Sequence, residues 1–184
     1  MASLKNHILI SMPQLTDPYF GRSVVYLCEH DKEGAMGLVI NKPLGEADLK
    51  EIFAPETEEN EFLVAVPKVY FGGPVMLERG IVLHSAEYKL EDTQPVSDQL
   101  SITSSKIIIR DIRNNKGPKR FRLMLGHAGW GKNQLEREIE NGDWLVQSVE
   151  MDFIYDTPDA KMWNAAARSF GIDTAHLAGF GGMA

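Results

Sequence analysis

The stretch Gly126-His127-Ala128-Gly129-Trp130-Gly131-Lys132-Asn133, continued by Gln134 to Ile139 and closed by Asn141-Gly142-Asp143-Trp144-Leu145, constrains this chain more than any other. Before it, Phe121-Arg122-Leu123-Met124-Leu125 alternates in the manner of a half-buried strand. Three glycines then let the backbone turn sharply, because no Cβ forbids positive φ. Leu135 and Ile139 stand four apart on one helix face, with Glu136, Arg137, Glu138 and Glu140 on the others. Gly142 is placed as a left-handed helix stop. The expected unit is strand, glycine turn, amphipathic helix, glycine stop and strand, with Trp130 and Trp144 at its two ends.

Gly126 to Lys132 also satisfies the letter of a phosphate-binding loop: Gly, four residues, then Gly-Lys. Two features argue against that reading. Asn133 stands where a Ser or Thr hydroxyl should hold magnesium, and Trp130 crowds a loop whose amides should face phosphates. A glycine-permitted turn with a tryptophan packing anchor is the simpler account.

Four segments together resemble the YqgE/AlgH family of bacterial proteins. They are Gly126 to Leu145, Phe20 to His30 (FGRSVVYLCEH), Gly34 to Pro43 (GAMGLVINKP), and Phe71-Gly72-Gly73-Pro74-Val75 leading to Leu83-His84-Ser85. The resemblance spans essentially the whole chain. It implies a strongly curved, split sheet closing toward a pseudo-barrel with helices packed around it, and a role in transcriptional regulation without an established enzymatic activity. The family pattern has Tyr in place of His127 and Pro-Gly in place of Lys132-Asn133. Those departures argue against a shared catalytic role for His127 or Lys132.

A chain of 184 residues with 43% apolar and 24% charged side chains suits one soluble domain, residues 1–184, with a single sizeable core. No apolar run approaches the roughly 20 residues of a membrane-spanning helix, and with no long apolar core after Lys5 a signal peptide is not expected. The single cysteine cannot form an internal disulfide, which suits a cytoplasmic protein. A net charge of −7 weighs against broad non-specific binding to nucleic acid.

Along the chain, strands are expected at His7 to Ser11 and Ser23 to Glu29, the second forming a hairpin with Gly37 to Ile40. A short helix follows from Glu46 to Phe53, then an acidic solvated loop, Glu56 to Glu61. Lys68 to Phe71, Ile81 to His84 and Leu100 to Ile102 read as strands, with a surface excursion from Glu87 to Asp98. Ser104 or Ser105 caps a helix burying Ile108, Ile109 and Ile112. Leu145 to Val149 is a strand. Thr157-Pro158-Asp159 is expected to open a helix that buries Met162, Trp163, Ala166, Ala167 and Phe170, and the tail Gly179 to Gly182 is expected to be mobile. Short links between strands make the sheet largely antiparallel, hence an α+β fold.

The candidate chemistry divides into three kinds. Cys28 and His30, two apart on a strand, should face one side, yet the apolar setting favours an inert thiol. His84 and His127 each follow a strand beside glycines, but no metal-ligand spacing accompanies them. Glu136 and Glu138 point different ways on their helix. No catalytic residue, metal or cofactor is therefore assigned.

Charge offers a stronger lead. Lys106, Arg110, Arg113, Lys116, Lys119, Arg120 and Arg122 face only one acid, Asp111, so this segment carries +6 within a chain of −7. Lys106, Arg110 and Arg113 form one helical stripe, and Arg120 and Arg122 share a strand face. Such a patch suits phosphate contact, or pairing with the protein's own acidic surface; direct nucleic-acid binding is not favoured, since no stacking aromatics are interleaved. Finally, the glycine turns, converging near Asn41 and Lys42, would line a cleft for an anion or small polar ligand with Gly72, Gly73, Gly129, Trp130 and Gln134. The expected function is non-enzymatic regulation or interaction, through a protein partner of unknown identity and without membrane contact. The alternatives are a small-ligand or nucleotide binder and, further off, a hydrolase-like enzyme.

Overall fold

The computed structural model describes residues 2–52 and 68–171. The strands are β1 (His7–Ser11), β2 (Val24–Asp31), β3 (Gly34–Val39), β4 (Val69–Phe71), β5 (Val75–Ser85), β6 (Gln94–Pro95), β7 (Leu100–Thr103), β8 (Phe121–Trp130) and β9 (Trp144–Ser148). The helices are α1 (Glu46–Ile52), α2 (Lys106–Arg113), α3 (Gln134–Glu140), α4 (Met151–Asp156) and α5 (Asp159–Arg168). The acidic segment Glu56 to Glu61, Phe53 and the glycine-rich tail lie outside the described residues.

One sheet joins the strands in the order β6-β7-β5-β8-β3-β2-β1-β9, with β4 outside that path against β8. It curls into a half-barrel, the expected α+β architecture. The strand pairings are antiparallel except that of β4 with β8. The sheet splits along β8. Leu123–Leu125 pair with β4, whereas Ala128–Trp130 pair with β3. Gly72 is the wedge: its N–H donates to Leu125 O and its carbonyl accepts from Val39 N–H, each at 2.8 Å.

Both faces of the sheet are covered, which is why β1, β2 and the end of β3 read as nearly unbroken apolar runs. Ile8, Ile10, Tyr26, Leu38, Leu83 and Met124 face a core closed by Ile154 of α4 and by Met162 and Trp163 of α5. On the other face, Leu9, Val25, Leu27 and Val39 pack with Leu135 of α3. Beyond the split, Val82, Leu123 and Leu125 pack with Ile108 and Ile109 of α2. Between the two serines expected to cap α2, the structure selects Ser105, whose Oγ accepts from Ile107 N–H at 3.2 Å.

Three expectations need correction. The glycine stretch after Leu125 is not a turn, since β8 runs through it to Trp130. Its amides serve the sheet, so the phosphate-loop reading has no structural basis. Only Gly126 takes positive φ there (+75°), at a bulge where the register against β5 shifts. That bulge changes the strand's parity: Leu123 and Leu125 face α2, while Ala128 and Trp130 face α3. Second, Met151–Asp156 forms the short helix α4, where no element was expected, because six residues carry too little period to read. Third, the last helix begins at Asp159 without a side-chain cap from Thr157, and Phe170 is exposed rather than buried.

Candidate functional site

Three of the cleft candidates, Gly129, Trp130 and Gln134, come together at the start of α3. After Trp130 the chain turns through Gly131 to Asn133, and Gln134 closes this turn twice. Its N–H donates to Gly131 O and its Oε1 accepts from Gly131 N–H, both at 3.0 Å. One helical turn on, Glu138 Oε1 accepts from Gln134 Nε2 at 3.2 Å. Glu138 Oε2 accepts the indole N–H of Trp130 at 2.7 Å and of Trp144 at 3.1 Å. Thus the two tryptophans that bracket this unit in sequence are tied to a single carboxylate.

Aromatic packing fixes the same place. Trp130 and Trp144 meet edge to face with centroids 6.2 Å apart, and Phe20 packs on Trp144 at 5.8 Å in the same geometry. Asp17 positions Phe20 by accepting the N–H groups of Tyr19 and Phe20 on Oδ1, at 2.8 and 3.2 Å. Gly142 (φ +80°) ends α3 as expected and leads into Asp143, whose carbonyl accepts from Met12 N–H. Between these elements lies an open cavity of about 250 Å³. Gly129, Trp130 and Gln134 line it, with Leu15, Asp17, Phe20, Glu138, Asp143 and Trp144 completing the wall.

The other cleft candidates lie elsewhere. Asn41 is buried in the backbone framework: Oδ1 accepts from Val24 N–H at 2.9 Å and Nδ2 donates to Arg22 O at 3.0 Å. The Lys42 ammonium donates to Tyr19 O at 2.9 Å; burial lowers its pKa, and Asp17 pulls the other way. Gly72 and Gly73 do converge on Gly126, but as backbone against backbone. A Cβ on Gly73 would stand 2.1 Å from the His127 carbonyl carbon, so no cleft opens there.

The basic stripe is partly neutralised from within. Arg120 reaches Asp152 at 3.0 Å and Asp156 at 3.2 Å. Arg122 is buried, donates to Ile40 O at 2.7 Å, lies 3.6 Å from Asp159 and stacks over Tyr70. Both guanidinium groups lie over Tyr155, so they do share a face, and it is turned toward α4. Lys106, Arg110 and Arg113 lie on α2, with Arg110 and Arg113 in its last turn. Lys119 is exposed, and its N–H donates to Glu87 Oε1 at 2.5 Å.

The reactive candidates are held in structural roles. A bulge at Cys28 separates it from His30, contrary to the expectation that they share a side. Cys28 lies in the core under α4 and α5, where burial pushes its thiol pKa well up, with Glu29 adding to the shift. His30 turns toward α3. Its Nδ1 accepts from Leu4 N–H at 2.8 Å, so the proton sits on Nε2, 2.7 Å from Glu136 Oε1. His84 bonds Thr103 Oγ1 at 2.7 Å and Ser85 O at 2.9 Å, and burial lowers its pKa. It pairs with Phe121, six residues along β8 from His127, so the two histidines stand at different places on the sheet rather than at one edge. His127 Nδ1 is buried without a hydrogen-bond partner among the described residues, and desolvation, followed by Arg79, lowers its pKa. Among those residues no group of three or more His, Cys, Asp or Glu could hold a metal ion.

Known proteins place the chain. The AlgH-like family model matches residues 8–175. The chain belongs to the AlgH-like family. A UPF0301 protein of Shewanella loihica is 39% identical over the full length of both chains. Another, Mmwyl1_0539 of Marinomonas sp., is 42% identical over 95% of this chain and 93% of its own. The solution structure of the AlgH protein from Pseudomonas aeruginosa superposes with a TM-score of 0.76 at 35% identity, covering 96% of this chain and 94% of that one. DIP2367 from Corynebacterium diphtheriae shares the fold at 21% identity, with a TM-score of 0.71 over 92% of this chain and 87% of its own. Within this AlgH-like chain, no helix among the described residues is long and apolar enough to cross a membrane.

Sequence reasoning found Gly129, Trp130 and Gln134 but missed Leu15, Asp17, Phe20, Glu138, Asp143 and Trp144 as cavity residues. The i,i+4 spacing of Gln134 and Glu138 and the two tryptophans flanking them were the available signal. Asp17 and Phe20 had none, because only tertiary folding brings them to α3.

Proposed function

We propose that this AlgH-like protein acts by binding rather than catalysis, as a cytoplasmic regulatory or interaction protein whose recognition site is the indole-walled cavity. The cavity itself carries the reading. It is open, and its wall sets the polar side chains of Asp17, Gln134, Glu138 and Asp143 beside Leu15 and three packed aromatic rings, with both indoles held by Glu138. The thiol of Cys28 and the imidazoles of His30 and His84 are meanwhile occupied in the fold. A volume of about 250 Å³ lies below the roughly 300–1,000 Å³ of typical ligand pockets, which favours a small polar ligand over a nucleotide. Direct nucleic-acid contact is not part of the proposal, because Arg120 and Arg122 already face aspartates.

The test uses the three indole N–H resonances of ¹⁵N-labelled protein. Trp163 is an internal control, since its indole is buried and donates to Ser11 O. Small polar compounds of each charge class should move the signals of Trp130 and Trp144 saturably in at least one class and leave that of Trp163 in place. If no class moves them, the cavity is not the recognition site.

A further inference from the structure

We propose that this cavity takes a single ammonium or guanidinium group carried on a short alkyl chain. The inference rests on the reading of the cavity as a recognition site and adds the chemistry of its occupant. Two independent features of the wall point to a cation. Three aromatic residues, Phe20, Trp130 and Trp144, line the space, and an aromatic ring attracts a cation that comes within about 6 Å of its face. Three acids, Asp17, Glu138 and Asp143, border it as well, and neither lysine nor arginine lines it.

Among the described residues none of the three acids forms a salt bridge. Glu138 accepts hydrogen bonds from two indoles and an amide, all neutral donors, which fix its position and leave its charge uncompensated. Asp17 uses Oδ1 for two backbone N–H groups. Lys42 offsets part of its charge from outside the cavity, where its ammonium is committed to Tyr19 O. Asp143 forms α3's exit, with its N–H on Glu138 O at 2.9 Å, and its carboxylate takes no hydrogen bond or ion pair among the described residues. Three carboxylates repel an anion, and the amides of Gly129 and Trp130 belong to a strand paired with β3, so amide-based anion binding is not the chemistry here. A small cation answers both the charge and the ring faces, and the modest volume limits the group to about the size of a basic side chain.

The probes are n-butylammonium and n-propylguanidinium, with butyramide and butyrate as the neutral and anionic counterparts, titrated against the indole resonances. Both cations should saturate the Trp130 and Trp144 signals, and butyrate should leave them unmoved. Glu138→Gln keeps an oxygen for the indoles and should weaken cation binding about tenfold, while Asp143→Asn should weaken it about threefold. Affinity should also fall as salt rises, by a factor of about three between roughly 20 and 200 mM. Should Glu138→Gln lose dispersed indole signals, Asp143→Asn decides the matter, since its carboxylate supports no internal contact. Butyramide binding as tightly as butylammonium, or unchanged affinity in Asp143→Asn, overturns the inference while leaving the cavity a recognition site. Silence from every probe overturns both. An N-acetylated, C-amidated Gly-Arg-Gly peptide distinguishes the sources: tighter binding than propylguanidinium assigns the group to a protein side chain, and weaker binding assigns it to a free small molecule.

Discussion

Removing the Glu138 carboxylate tests the arrangement that holds the cavity open. In Glu138→Ala the indole N–H groups of Trp130 and Trp144 lose their common acceptor. Both residues are buried, at 7% and 3% exposure, so neither donor has ready access to bulk water. A buried donor left unpaired costs about 1–3 kcal/mol, which for two gives roughly 2–6 kcal/mol. The adjoining cavity lets water approach the vacated oxygen position, which moves the expected loss to the lower part of that range, about 2–4 kcal/mol. Loss of the Gln134 contact adds little, since that side chain is partly solvated. Glu138→Gln retains one oxygen able to accept both indoles and should lose less than about 1 kcal/mol. Equilibrium urea unfolding, followed by far-ultraviolet circular dichroism, measures both variants against the parent. Equal destabilisation by alanine and glutamine would mean that charge, not acceptor geometry, holds the tryptophans. A loss below about 1 kcal/mol in the alanine variant would mean that the indole bonds do not organise this site.

Further predictions follow from the same geometry. Gly126→Ala meets both positive φ and a Cβ position 2.2 Å from Gly73 O, so it should cost about 3 kcal/mol or more. Gly129→Ala, with nothing within 4 Å of its Cβ, should stay within about 1 kcal/mol of the parent by the same unfolding measurement. The hydrogen bond from His30 holds the Glu136 carboxyl below its usual pKa. A depressed carboxylate contributes stability above its unfolded pKa and loses it as pH falls through the folded value. Glu136→Gln should therefore cost up to about 1 kcal/mol at neutral pH, and the two unfolding curves should converge as acid protonates Glu136. A gap that persists undiminished into that range would refute this linkage. The buried Cys28 thiol should resist a thiol-specific disulfide reagent in the folded protein and react at once in denaturant; rapid native labelling would contradict its place in the core.

Much of the fold was legible in local pattern. β1, the hairpin of β2 and β3, α2 with a serine cap at Ser104 or Ser105, and the glycine stop at Gly142 follow from apolar period and capping chemistry, which act over a few residues. The errors came where one pattern serves two structures. A glycine-rich stretch can be a turn or a strand threading a split sheet. Met151 to Asp156 is too short to show a helical period, and its helix under the core was not assigned. Cys28 and His30 keep strand spacing, but a bulge sends them to opposite faces.

The site shows the same division. Sequence alone determined that Trp130, Gln134, Glu138 and Trp144 form one strand–helix–strand unit, because their spacing is short and their periods are set by backbone geometry. It also determined a chain of net charge −7 whose basic residues cluster in one segment. Only the tertiary structure decided that Asp17 and Phe20 close over that unit, that Arg120 and Arg122 turn inward to aspartates, and that Gly126 reverses the face on which Trp130 lies. These outcomes depend on contacts across long chain separations and on a single bulge that shifts side-chain parity. Neither leaves a period in the sequence, and together they convert two tryptophans and three acids into a cavity.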